Sequence, residues 1–577
     1  MERVRRLRLP ALAGLSSLLF AAASPAAEPA RPGDPSARVL AEVVLPDLRA
    51  TLVHAEATLA SVAPGTLPPG TLQAMLGAQL KDPGLAALGA GPVVALVLAP
   101  ESASSAPGVV LYLPVKNAQA YQDATAALGL ASSSAKGLVI AASDAPTLAS
   151  GRALEARYRA IGAARGSGPA PDLRFRLFAP QVMEKYGPLL RLGASAMVDK
   201  MRETPAAAAG KAPPAVLFAL MRLEVLGALA ALEQLAEARV DLSLLPDVVA
   251  SETVLVSRPG TALAELAQAP PPGPNRAASL LEGGGSLAGS YRFDGARLSA
   301  FMLGLIGSVP DDPALAAVLT PEVLEVLRES GSVYTGEGAM RMDFRPGKGE
   351  VPEMVMQAVA VVTDEARALA LVERSFALLA PMLEGLAGPA EQVQVTLKKD
   401  VRRTGGVAVH SVRVAPRSSA AKVTAAKSKT KKAPATPPAG PPATPFPFDA
   451  FDMQFAFTHG YYLAARDAAA LDRLVARAGG PAEGASPLRA EKAFGPGHQG
   501  YMDYDILALL KSMPAPAGQP NPFGALAEGQ SEPFLYAFSM EGGTMRFAQR
   551  MPLKPFASLV AAGKKAGAEK AEKVPQP

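Results

Sequence analysis

Short apolar runs alternate with amphipathic stretches along the chain, and their periods assign its elements. Val39 to Leu45 reads as a strand. Asp47 to Ala60 reads as a helix, with Leu48, Leu52, Ala55 and Leu59 on one face, until Pro64-Gly65 and Pro68-Pro69-Gly70 break it. Val93 to Leu98 and Val109 to Val115 are short apolar runs bounded by Pro and Gly, the pattern of buried strands. Asn117 is placed to cap a helix running to about Leu128.

The most informative pattern occurs twice. Lys136-Gly137, the apolar run Leu138 to Ala142, Asp144 and Leu148 read as turn, strand, cap and helix. His459-Gly460, the run Tyr461 to Ala465, Asp467 and Leu471 repeat it 323 residues later without a gap. Gly137 and Gly460 permit the positive φ of a tight hairpin turn. Asp144 and Asp467 cap the following helices. In each copy a second strand and helix follow: Leu173 to Phe178 then Gln181 to Leu190, and Gly500 to Asp505 then Ile506 to Met513. A third copy is expected between them. Thr253 to Leu263 aligns with Tyr461 to Leu471, and Gly289 and Asp294 align with Gly500 and Asp505.

The second half also repeats the lead-in. Met354 to Val362 and Asp364 to Leu379 resemble Val109 to Leu128 as strand and helix. Thr404-Gly405-Gly406 turns Val393–Leu397 into Val407–Val414, and Gly542-Gly543 joins a last hairpin, Phe534–Ser539 with Met545–Met551. The fold class expected is therefore α+β: two related halves, residues 37–250 and 251–562, each an antiparallel or mixed sheet packed with helices. Residues 417–445, rich in Lys, Ala and Pro, form a disordered insertion in the second half, and residues 563–577 a flexible tail.

Composition narrows the function. Of 577 residues 49% are hydrophobic, enough for a large core. There is no Cys, which excludes disulfides, thiolate zinc sites, iron–sulfur clusters, a Cys nucleophile and a lipidated N-terminal Cys. The formal charge of +5 is local: residues 1–9 carry +3, 417–444 carry +6 and 563–577 carry +2, leaving −6 on the body. The basic pI is thus no sign of a nucleic-acid-binding face. Arg3 to Arg8 followed by the apolar run Ala11–Ala23 and Ser24-Pro25-Ala26-Ala27 reads as a signal peptide over residues 1–27, cleaved at about Ala26 or Ala27. The run is short for a membrane span, and Val216–Leu235 is interrupted by Arg222, Glu224 and Glu233, so no transmembrane anchor is expected after cleavage. The expected location is the periplasm or beyond.

Candidate chemistry is sparse. The four histidines, His54, His410, His459 and His498, lack the helical i, i+4 spacing of a zinc pair. His498, Asp503 and Asp505 are the one conceivable metal corner, outweighed by an ordinary loop and strand. Gly283 to Gly289 with Ser286 lacks the last Gly of a nucleophile elbow and precedes a strand, not a helix. Ser133-Ser134-Ala135-Lys136 matches S-x-x-K without the partner motifs. Asp294 and Asp505 recur at matching positions with no carboxylate partner to place opposite them. No catalytic, metal or cofactor residue is assigned; Gly137, Asp144, Gly460 and Asp467 stand as structural repeat positions. The lysine-rich insertion has the charge to attract anionic lipid or polysaccharide, but no aromatics interleave with its lysines, and it reads as a solvated loop.

This order of pieces resembles uncharacterised exported bacterial proteins with a domain of unknown function built from repeated strand–helix units. The resemblance covers about residues 90–190 and 450–515 and rests on Gly137/Gly460, Asp144/Asp467 and their apolar flanks. It implies envelope location and fold, and carries over no activity. The function expected is a non-enzymatic binding or scaffolding component of the cell envelope, with an envelope protein, lipid or anionic polysaccharide as partner and no nucleic acid. A carrier of a lipid or other apolar ligand is the alternative, and an exported hydrolase the third.

Overall fold

A computed structural model describes residues 35–100, 106–163, 170–202, 215–268, 275–308, 313–316, 318–345, 353–386, 393–416, 451–480, 486–512 and 532–572. The expected signal peptide and the insertion 417–445 lie outside them. The fold is mixed α+β, with two related halves and antiparallel strand pairing throughout the sheets.

The first half runs β1 (Val39–Leu45), α1 (Leu48–Val62), α2 (Thr71–Gln79), β2 (Val93–Leu98), β3 (Gly108–Pro114), α3 (Ala118–Ala127), β4 (Ala131–Ala135), β5 (Leu138–Ala142), α4 (Ala145–Ala153), α5 (Glu155–Ala163), β6 (Leu173–Leu177), α6 (Ala179–Arg202), α7 (Ala215–Glu233), β7 (Leu235–Leu244) and β8 (Val248–Ser257). The second runs β9 (Leu287–Arg292), α8 (Gly295–Ser308), α9 (Pro321–Val333), β10 (Tyr334–Arg345), β11 (Glu353–Val362), α10 (Glu365–Leu386), β12 (Val393–Thr404), β13 (Val407–Pro416), β14 (Phe451–Thr458), β15 (Tyr461–Ala465), α11 (Ala468–Ala478), α12 (Arg489–Phe494), β16 (Gly500–Tyr504), α13 (Ile506–Ser512), β17 (Phe534–Glu541), β18 (Thr544–Pro552) and α14 (Lys554–Glu572).

Strand order displays the duplication. In the first half the pairing runs β4-β5-β3-β2-β1-β6-β7-β8. In the second it runs β14-β15-β11-β10-β9-β16-β17, with the added hairpin β13-β12 beside β14. Caps recur at matching places. Asp47 and Asp294 cap the helices after β1 and β9, and Asn117 and Asp364 those after β3 and β11, at one common offset of 247 residues. After β5 and β15, Asp144 accepts from Thr147 N–H (2.7 Å) and Asp467 from Ala469 N–H (3.2 Å). The turns match too. Lys136 (φ 49°) and Gly137 (φ 74°) correspond to His459 (φ 53°) and Gly460 (φ 77°), the two successive positive φ values of a type I′ hairpin.

The expected third copy does not occupy an equivalent place. β8 lies between β7 and the C-terminal strand β18, whereas β15 lies between β11 and β14. β9 and β16 are direct neighbours in one sheet, so the likeness of Gly289–Asp294 to Gly500–Asp505 belongs to adjacent strands. By strand order Asp294 corresponds to Asp47.

Contacts divide the chain into two compact units that depart from the expected 37–250 and 251–562. The first comprises residues 1–197, 228–267 and 543–560, and the second 198–227, 268–542 and 561–577. β8 crosses the expected boundary, and β18 completes the first unit's sheet from the far end of the chain, pairing from Val248↔Pro552 to Val256↔Thr544. α14 continues to Glu572, as its Ala, Lys and Glu content favours.

In the first unit the sheet is covered on both faces. Val44, Val94, Leu96, Val110, Tyr112 and Ile140 pack under Leu148 of α4, Leu154 at the junction and Tyr158 of α5. Val93, Leu113, Val115 and Val139 pack under Leu48 and Leu52 of α1, Leu76 of α2 and Tyr121 of α3. The one charge in β1, Glu42, is buried and held by Arg157 (3.4 Å) and Arg176 (3.6 Å). In the second unit Ala339, Val359, Leu463 and Ala465 pack under Leu471, Leu474 and Val475 of α11, and Phe455 and Ala464 pack with Leu369, Val372 and Phe376 of α10 on the other face.

Each cap should be measurable. Asp144→Ala and Asp467→Ala are expected to lower unfolding free energy by about 1 kcal/mol each in urea titrations. Losses below about 0.2 kcal/mol would show that the helices hold without these side chains. The Thr147 backbone donor, followed by its hydroxyl, holds the Asp144 carboxyl below its ordinary value. Its contribution is therefore complete above the unfolded value of about 3.9 and is lost as pH falls through the lowered folded one.

Candidate functional site

The candidate site is one face of four adjacent strands in the second unit, β10, β9, β16 and β17. Register assembles it in three rows. Gly338, Tyr291, Gly500 and Phe538 lie side by side across the strands; next come Met340, Gly289, Met502 and Tyr536; then Met342, Leu287, Tyr504 and Phe534. Side chains alternate between sheet faces, so all twelve positions share one face. None is charged.

Glycines opposite the rings explain the first row. A Cβ on Gly500 would stand 1.7 Å from a ring carbon of Phe538, and one on Gly338 would stand 2.6 Å from the Tyr291 ring. Each ring therefore lies over the glycine of the neighbouring strand and shields its bare backbone. Phe293, just past β9, stacks on Phe538 at 5.1 Å and 20°, with Tyr291 6.0 Å from it. Tyr504 meets Phe534 edge-on at 6.1 Å. Asn275 Nδ2 donates to the carbonyls of Tyr291 (3.0 Å) and Gly338 (3.2 Å), pinning β9 to β10 where the row begins.

The opposite face of the same strands is closed. Ala288, Tyr501 and Ala537 are buried with Leu488 and Ala490 at the start of α12. Residues 275–286 are tied down where Glu282 meets Arg341 (3.3 Å) and Arg473 (2.5 Å), and Arg473 foremost, with Gln357 and Arg477, holds the Glu282 carboxyl below its ordinary value. The aromatic face is bordered by α8 and α13, both packed against β10. Its centre stays open: Tyr291 is 38% and Met502 36% exposed. Burial of the rest of the ring pushes the Tyr291 phenol above its ordinary value. Such a surface has no nucleophile or acid–base pair to offer. What it offers is polarisable, adaptable apolar area.

The residues singled out in the sequence do not converge on this face or on one another. Asp503 accepts from the backbone N–H groups of Arg489 (2.7 Å) and Ala490 (2.8 Å), and burial pushes its carboxyl up despite these donors. Asp505 caps α13 through Ala508 N–H (2.9 Å). His498 lies edge-on to Phe494 and Tyr501. The conceivable metal corner is not assembled, and among the described residues no three His, Asp or Glu side chains could hold a metal ion. His54 Nδ1 is 2.7 Å from Asp172, which also accepts from Leu244 N–H (2.6 Å). His410 is buried against Phe455 and accepts from Asp400 N–H at Nδ1 (3.3 Å), and burial lowers its pKa. His459 sits in the β14–β15 turn beside Gly479. Ser286 donates to Asp343 (3.1 Å), Ser133 accepts from Arg152 Nε (3.0 Å), and Lys136 occupies its turn. Gly137, Asp144, Gly460 and Asp467 are turn and cap residues of the repeat.

Sequence reading missed the aromatic face. Its signal was present in the alternation of Leu287-Gly289-Tyr291, Met340-Met342 and Phe534-Tyr536-Phe538, but only register shows that these rows meet. Comparisons with protein-family models, curated proteins and solved structures find no match.

Gly500→Ala should destabilise the protein by about 1–3 kcal/mol, because the new methyl displaces the Phe538 ring. Adding Phe538→Ala should recover part of that loss in a double-mutant cycle followed by urea unfolding. Additive losses would show that the ring does not rest on this glycine.

Proposed function

We propose that this chain is an exported, non-enzymatic binding or scaffolding protein of the cell envelope, and that it holds an envelope protein partner on the aromatic face of β9, β10, β16 and β17. The observation that carries the reading is the open centre of that face, Tyr291 and Met502, on a sheet whose reverse side is closed. A sheet that needed the face only for its own core would bury these side chains. Aromatic and methionine side chains are enriched at the centres of protein interfaces, where they bring large area and adaptable packing. Export is supported by the basic segment, apolar run and small residues of positions 1–27. Among the described residues no helix is long and apolar enough to cross a membrane.

Two measurements test this. Intact-mass analysis of the exported protein should find a chain beginning near Glu28; retention of residues 1–27 would refute cleavage. Native mass spectrometry of the same material should show a defined partner. The pair Tyr291→Asp with Met502→Asp should remove that partner while the melting temperature stays within a few degrees. A wild-type protein recovered as an empty monomer, or a partner that survives the double substitution, would refute the reading.

A further inference from the structure

The ladder between β12 and β13 is interrupted. Lys398 pairs with Ser411 and Arg402 with Val409, so Lys399, Asp400 and Val401 stand opposite His410 alone. Such a bulge takes backbone groups out of the ladder and bends its strand. Asp400 adopts φ 50°, in the left-handed region that a residue with a side chain enters at a cost. Val401 is 42% exposed. Past the bulge, Arg402 ties the edge strand down. It donates to Gln454 Oε1 (2.8 Å), Asp472 (2.6 Å) and the Ala468 carbonyl (3.1 Å), reaching β14 and α11.

His410 fills the gap in the ladder. Its Nδ1 accepts the Asp400 N–H (3.3 Å). The ring is 5% exposed, with Phe455 of β14 directly opposite and 5.1 Å away. Accepting at Nδ1 requires the neutral imidazole with its proton on Nε2. A second proton, taken from solvent at Nδ1, sets one donor against another. The charged groups facing the ring are Asp400 and Lys399 on β12 and Glu373 on α10, and β14 presents the uncharged Phe455. Lys399 and Glu373 pair with each other at 3.1 Å. Burial, the largest influence, holds the ring below its ordinary pKa despite both carboxylates. The neutral ring therefore contributes fully above the unfolded value of about 6.5, and its contribution is lost as pH falls through the lowered folded one.

We propose that the β12 bulge is an acid-released latch: protonation of His410 at Nδ1 expels the Asp400 N–H, and the bulge with its Arg402 contacts lets go of the sheet edge while the inner strands stay paired. The latch shares no residue with the aromatic face, so either can fail without the other.

Hydrogen exchange of the full-length protein at about pH 7.5 and about pH 4.5, corrected for intrinsic rates, tests it. Residues 398–404 should lose protection at least tenfold in acid, while 461–465 in β15 keep theirs. His410→Asn puts an amide oxygen near the place of Nδ1 that stays an acceptor at both pH values, and the acid loss at 398–404 should disappear. A second variant stands if that one does not fold. His54→Gln with His459→Gln and His498→Gln leaves His410 as the sole imidazole, and its protonation, followed by 15N NMR, should share its midpoint with the opening of 398–404. Protection at 398–404 that survives acid, an equal loss in His410→Asn, a simultaneous loss at 461–465, or two separate midpoints would overturn the proposal.

Discussion

Everything distinctive about this molecule depends on strand register, and in its hairpins register depends on two-residue turns. A type I′ turn requires two successive residues at positive φ and matches the right-handed twist of the strands it joins. Lys136-Gly137, Gly405-Gly406 and His459-Gly460 all meet that requirement. A slip of one residue would exchange the two faces of a strand completely. In β15 it would turn Leu463 and Ala465 away from α11, and a slip in β16 would take Tyr501 out of the closed side and put Met502 into it. In the hairpins β4–β5, β12–β13 and β14–β15 the turn glycines therefore fix which face is core and which is surface.

This dependence explains what could be read in the sequence. Gly137 and Asp144, with Gly460 and Asp467, announce themselves because turn, strand, cap and helix are local and each residue type has one physical reason to be there. The α+β class and the relation of the halves follow from counting such units. What escaped is non-local. The match of Thr253–Leu263 to Tyr461–Leu471 is genuine as strand-to-helix chemistry, since Thr261 does cap a short helix, yet β8 occupies a different place in its sheet. No local pattern says that β18 pairs with β8 across nearly 300 residues, because any apolar strand can pair with any other and only assembly chooses. The aromatic face escaped for the same reason: every strand contributes only alternate residues to it.

The chain has no cysteine, so packing and pairing must supply all the stabilisation that crosslinks might have given. The two layers of helix in the first unit bury both faces of the strands around β1. Several polar groups inside this core are held by partners. Glu42 has two arginines, Asp82 accepts from Tyr121 Oη (2.8 Å) and Ala87 N–H, and Tyr112 Oη donates to the Gly151 carbonyl (2.8 Å).

The aromatic face gains free energy from apolar area, which is non-directional, so its selectivity must come from shape, and the glycines beneath Tyr291 and Phe538 flatten the floor that a partner would have to fit. A flat apolar surface suits a partner that buries wide area.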